Sequence, residues 1–149
     1  MKTILIVIAI LCSFTLAQEE KKHPLRYEKT IQGVDFEDVK ILFRSALEGL
    51  NMNVLGVVDI STEKPRFSYF LVCNLSYAEK IFREFPQLGV MSPCRVYLYE
   101  KEDGSVVVGF VNVETLLKLF GEKLSPEARK VFRRADSDIK TAIREVEGK

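Results

Sequence analysis

Apolar and polar positions divide most of the chain into short strands and amphipathic helices. Tyr27, Lys29 and Ile31 alternate and predict a first strand. Gly33 turns the chain, and Asp35, backed by Asp38, is a good N-cap. Val39, Leu42, Phe43, Ala46 and Leu50 then form one helical stripe that stops near Gly49. Residues 54–60 are rich in β-branched side chains and predict a second strand. A polar turn with Pro65 leads into a third, in which Phe67, Tyr69, Leu71 and Cys73 alternate. Ser76 followed by Glu79 reads as a capping box, Ala78, Ile81, Phe82 and Phe85 recur at helical spacing, and Pro86 ends the run. A loop containing Gly89 and Pro93 precedes a fourth strand over residues 95–99. Asp103-Gly104 between β-rich segments signals a hairpin into a fifth strand, residues 106–111. Residues 114–120 read as a helix stopped by Gly121. Ser125-Pro126-Glu127 opens a long final helix, with Ala128, Val131, Phe132, Ala135, Ile139, Ala142, Ile143 and Val146 on one face.

The order β-α-β-β-α-β-β-α-α predicts an α+β fold of two layers. An antiparallel-dominated sheet of about five strands carries helices in a split βαβ-like layout. One sheet face then still needs cover. The final helix or a second subunit would supply it, and the second possibility predicts a homodimer.

The N-terminus sets a compartment. Lys2 is followed by the uncharged, mostly apolar run 3–17 and then by Gln18-Glu19-Glu20-Lys21-Lys22. A basic start, a short apolar stretch and a small residue at Ala17 predict a signal peptide over residues 1–17. The run is short for a bilayer span of about 20 residues, so cleavage would leave no stable membrane anchor; retention as an anchor is the other reading. Leu11 before Cys12 spoils a lipoprotein cleavage site. The expected location is periplasmic or secreted. Residues 18–25 read as a flexible tether, and residues 26–149 as a single domain. His23, the only histidine, falls in that tether, so no imidazole is expected in the folded core.

Composition changes this picture little. Length 149 suits one domain, and 29% charged residues is a globular balance. A formal charge of only +1 gives no long-range attraction for nucleic acid, which is not an expected partner.

Three pieces of the chain resemble the domain of unknown function family 302. Phe36-Glu37-Asp38-Val39 through Gly49-Leu50-Asn51-Met52-Asn53-Val54 is similar to its opening helix and following strand. Cys73-Asn74 with Tyr77-Ala78 resembles its Cys-Asn-Pro stretch, with Leu75 where proline is usual. Pro86, Leu88-Gly89 and Pro93-Cys94-Arg95-Val96 resemble its Pro-Cys-Asn-Val segment, with Arg95 where asparagine is common. The resemblance implies a small α+β domain that tends to dimerise. It brings no established activity.

The candidate chemistry is sparse. Cys73 and Cys94 are the thiols expected after processing, and two cysteines in an exported domain invite a disulfide. If strands three and four lie parallel across a helix, however, Cys73 ends one and Cys94 begins the other. They then sit at opposite edges of a sheet about 15–20 Å deep, beyond the ~7 Å Cα limit. A long return by the 86–93 loop, or a bridge between subunits, would reverse that expectation. As a soft-metal set, Cys73, Cys94 and Met91 would suit Cu(I) or another thiophilic ion; small core residues are the competing reading. Asn74, at a helix start just after a strand, is a candidate ligand contact through free N–H groups. Arg95 and Tyr97, with Arg66, would line a pocket if the strands present a concave face. No phosphate loop, dinucleotide fingerprint, paired Cys-x-x-Cys or nucleophile elbow is present, and the carboxylates are scattered. Two functions follow. The first is an exported, non-enzymatic dimer that binds a small ligand or protein partner. The second is a thiol-dependent redox or metal-handling protein that uses Cys73 and Cys94.

Overall fold

The computed structural model describes residues 23–149. The expected signal peptide and residues 18–22 of the expected tether lie outside the described residues. Residues 23–25 are described and are held by the domain. Leu25 O accepts from Asn112 N at 3.0 Å, and Pro24 O accepts from the Thr115 hydroxyl.

Five strands follow the sequence pattern: β1 (Arg26–Ile31), β2 (Asn53–Ser61), β3 (Phe67–Cys73), β4 (Cys94–Glu100) and β5 (Val106–Val111). Among the described residues the α-helices are α1 (Phe36–Gly49), α2 (Leu75–Glu84), α3 (Val113–Phe120) and α4 (Pro126–Glu147). The strands form one sheet in the order β1-β5-β4-β3-β2, with every neighbouring pair antiparallel. Counting reversals, the two outer strands β1 and β2 run parallel, and α1 crosses between them. That is the split βαβ layout, with three strands inserted in the gap.

All helices that reach the core pack on one face of the sheet. Phe36, Val39, Phe43 and Leu47 of α1 are buried, as are Ile139, Ala142, Ile143 and Val146 of α4. They meet Phe70, Val72, Val96, Leu98, Val108 and Phe110, the alternate strand residues on that side. Phe43 and Phe70 meet edge to face at 5.3 Å between ring centroids. The final helix therefore belongs to the covered face and leaves the opposite one open.

The structure corrects two local expectations. Helix α2 starts at Leu75, capped by Asn74, whose side chain accepts from Tyr77 N at 3.1 Å. Asn74 binds N–H two residues before Ser76 gets the chance, so Ser76 lies inside the first turn. More important, β3 and β4 are antiparallel neighbours, with Val72 opposite Cys94. The 3-10 turn Pro86–Met91 carries the chain back to the end of the sheet it left. The helix between these strands is an excursion from a hairpin, not a parallel crossover.

Candidate functional site

The open sheet face carries the most distinctive surface among the described residues. Strand alternation sends Phe67, Tyr69 and Leu71 of β3 and Arg95, Tyr97 and Tyr99 of β4 to this side. Their rings pack on one another. Phe67 meets Tyr69 at 5.0 Å edge to face and Tyr99 at 6.4 Å stacked, and Tyr97 stacks on Tyr99 at 6.4 Å. Such pairs add about 0.5–1.5 kcal/mol each beyond area burial, so the rings are ordered before anything lands on them.

Gly109 shapes the neighbouring column. It sits opposite Tyr97 in β5, inside an otherwise valine-rich strand. A Cβ there would lie 2.6 Å from the end of the Tyr97 ring and 2.8 Å from Glu28 Cγ. Without it, Tyr97 lies across β5 and its hydroxyl donates to Glu28 Oε1 at 2.6 Å on β1. Arg26 closes the cluster, with its Nε 2.7 Å from Glu28 Oε2. Burial opposes the ionised form of Glu28, but the hydrogen bonds from Arg26 and Tyr97 outweigh it and hold the pKa below the usual range. Burial, then the adjacent carboxylate, pushes the Tyr97 phenol upward, so it acts as a donor and not as a base.

Arg95 stands apart from this cluster. It is exposed and makes no ion pair among the described residues. With Val58, Tyr69 and Leu71 it borders a shallow hollow of about 410 Å³. Arg95 and Tyr97 thus share one face, which is broad and shallow.

Other candidates go elsewhere. Arg66 points to the helix-covered side, where Nε and Nη2 grip the Glu100 carboxylate at 2.9 and 3.0 Å. Nη2 also reaches Asp35 at 3.0 Å, and the guanidinium lies 5.0 Å from the Phe36 ring centroid. It ties the cap of α1 to the sheet and cannot join Arg95. Asn74 is occupied at both ends, since its Nδ2 donates to Asn51 O at 3.1 Å while its Oδ1 caps α2. That is a structural assignment, not a ligand contact. His23 accepts from Leu25 N at 3.2 Å.

Cys73 and Cys94 sit at the same end of adjacent strands, not at opposite edges of the sheet. Both are free. What separates them is the pleat: Cys94 shares the covered side with Val72, and Cys73 shares the open side with Leu71, so their Cβ bonds diverge. Burial raises the Cys73 pKa, opposed by a hydrogen bond with Ser92. Burial, then the neighbouring Cys73, pushes the Cys94 thiol up to about 11. A nucleophilic or metal-binding thiol needs the opposite shift. Met91 is half-buried in the 3-10 turn. Among the described residues no three His, Cys, Asp or Glu side chains gather to hold a metal, and no helix is long and apolar enough to cross a membrane.

Sequence reasoning missed Arg26, Glu28 and Gly109. Only the glycine left a signal. A lone glycine in a strand marks a bulge or a close approach, and here it is the approach of Tyr97.

A five-stranded antiparallel sheet with helices on one face defines the chain as a two-layer α+β domain. The family model for the domain of unknown function DUF302 matches residues 27–143, and the chain belongs to that family. An uncharacterized protein of Aquifex aeolicus is 53% identical over 143 residues, covering 96% of each chain. The crystal structure of an uncharacterized conserved DUF302 protein from Bacillus stearothermophilus aligns with a TM-score of 0.70. It is 13% identical, and the match covers 80% of this chain and 96% of that one. The likeness establishes the fold. The relatives themselves are uncharacterized, so function has to be argued from this chain.

Proposed function

We propose that this protein is an exported, non-enzymatic domain that works as a dimer and acts by binding, either a small ligand or a protein partner. The observation that carries the reading is the open sheet face. Its aromatic rings are ordered by mutual stacking, and among the described residues the helical layer covers only the opposite face. A half-apolar, pre-ordered surface is what recognition needs, because little side-chain freedom remains to be lost on contact. Residues 1–17 support export, and the near-neutral charge argues for a partner other than nucleic acid.

The thiol reading draws on Cys73 and Cys94 sharing one end of the sheet, but both thiols are held toward the protonated state. It is the weaker of the two. Native mass spectrometry of the protein from its own compartment tests both. A chain beginning at Gln18, present as twice the monomer mass, is the expected result. A chain that begins at Met1 and stays monomeric without an adduct would overturn the binding reading. A metal adduct lost on Cys73→Ser plus Cys94→Ser would restore the thiol reading.

A further inference from the structure

The dimeric reading leaves open where the second copy sits, and three observations locate it. First, α4 is committed to the covered face through Ile139, Ala142, Ile143 and Val146, so no described segment is free to close the open one. Second, both sheet edges are guarded against added strands. Strand β1 carries Arg26, Glu28 and Lys29, and β2 is interrupted by irregularities between Val54 and Gly56 and between Asp59 and Ser61. Third, the open face is large enough. Five strands about 4.8 Å apart and six to nine residues long give a footprint of roughly 550 Å² per copy, so face-to-face contact buries about 1,100 Å² in all. That reaches the lower bound of roughly 1,000 Å² for a specific interface.

Resting on that dimeric reading, we infer that two copies stack their open faces as an aligned β-sandwich, with the two-fold axis running across the strands so that Arg95 of each copy lies over the partner's Tyr99. Charge selects this orientation. Strand register places Glu28, Gly109, Tyr97, Tyr69 and Val58 in one row across the face, flanked by a row through Arg95 and Leu71 and a row through Tyr99 and Phe67. An axis along the strands at β4 would lay each row on itself and set Arg95 against the partner's Arg95, two like charges in a desolvated centre. An axis across the strands exchanges the flanking rows. Arg95 then faces an aromatic ring, which a guanidinium stacks on well, and Leu71 faces the partner's Phe67. The middle row meets itself, tyrosine on tyrosine at its centre and Glu28 on Glu28 at the β1 edge, where each carboxylate is already paired with its own Arg26. Arg95 has no ion pair among the described residues, so it is available for this contact.

The test is sedimentation equilibrium of the full chain and its variants, with circular dichroism to confirm folding. Tyr69→Asp puts a charge in the middle row beside Tyr97 and should weaken the dimer by at least about 100-fold. Val58→Asp, at an exposed position in the same row, guards against misfolding of the first variant and should also dissociate it. Ile41→Asp, an exposed position on α1, should leave association unchanged. Arg95→Ala and Tyr99→Ala should each weaken the dimer about 10-fold, with the double variant little worse than either. Within one chain these side chains are four strand positions apart, about 13 Å, so coupling between them reports contact across the interface. A wild-type dimer that survives both aspartate variants, or one tightened by Arg95→Ala, would overturn the inference and leave the dimeric reading standing. A wild type that stays monomeric up to about 100 μM would overturn both, since a functional dimer needs a tighter Kd.

Discussion

Each face of the sheet holds a carboxylate gripped by an arginine, and the two clusters differ in what surrounds them. On the covered side Glu100 has a side chain only 3% exposed, clamped by Arg66 and approached by Lys64 at 3.3 Å. On the open side Glu28 is 28% exposed and Arg26 is 46% exposed. The Arg66 cluster links β3, β4 and the cap of α1, so it locks three elements into register. The Arg26 cluster links two positions of one edge strand and borrows only a hydroxyl from β4. The same chemistry thus serves architecture on one face and the posture of a single tyrosine on the other. The variants below ask how deep that difference runs.

The largest contrast lies in the aromatic residues. Phe70 is buried against Phe43, and Phe70→Ala should cost about 3–5 kcal/mol through a cavity the helical layer cannot close. Phe67, three residues earlier on the other face and half-exposed, should cost only about 1–1.5 kcal/mol on truncation in dilute protein. Urea unfolding of both variants decides it. Equal losses would mean that the open face is covered in solution as thoroughly as the other.

Acid should separate the clusters next. The Arg66 guanidinium beside Glu100 outweighs its desolvation and lowers its pKa to about 2, against 4.5 for an ordinary glutamate. A carboxylate held lower in the fold than in the unfolded chain stabilises fully above its unfolded pKa. That stability drains as pH falls, here from about 5 toward 2. Glu28 is shifted in the same direction. Unfolding midpoints of wild type, Glu100→Gln and Glu28→Gln between pH 6 and pH 2 should show a flattened acid limb mainly in Glu100→Gln. A larger flattening in Glu28→Gln would reverse the roles given to the two clusters.

Gly109→Ala should come third. The new methyl meets the far end of Tyr97 and the flexible stem of Glu28, both of which can swing away, so the cost is about 1–2 kcal/mol, not a failure to fold. The signature is loss of the Tyr97–Glu28 hydrogen bond, seen as a rise of the Glu28 pKa by NMR. An unchanged Glu28 titration would mean that the tyrosine does not need the gap.

These positions also mark what the sequence could and could not disclose. Caps at Asp35 and Ser125, the stop at Gly121 and the Asp103-Gly104 turn are local signals, and each fell where read. Alternation in β3 and β4 told which residues share a face. It could not tell which way β4 runs relative to β3, because a helix between two strands suits a crossover and an excursion equally well until the 86–91 turn is seen to double back. That single ambiguity displaced Cys73 from Cys94 by the depth of the sheet. Arg66 was misplaced for a similar reason, since its side depends on strand parity at a turn, where the pattern fades. Glu28 was invisible because the tyrosine it holds, Tyr97, lies two strands and 69 residues away.

The smallest effect tests the open cluster most directly. Tyr97→Phe keeps the ring, its stacking on Tyr99 and its cover over Gly109, and removes only the hydroxyl that donates to Glu28. Glu28 retains Arg26, and at its level of exposure water can replace the lost donor, so the net loss should stay at or below about 1 kcal/mol. The Glu28 pKa should move up toward the ordinary range, because one of the two hydrogen bonds that lowered it is gone. Urea unfolding across a range of protein concentrations then sharpens the comparison. If the loss stays small when the protein is dilute and grows as it associates, the face is wet in the monomer and dry in the dimer, where an orphaned carboxylate is no longer compensated by water. A loss above about 2 kcal/mol at every concentration would mean that Glu28 is already buried as deeply as Glu100 in function, and the two faces would not differ in kind.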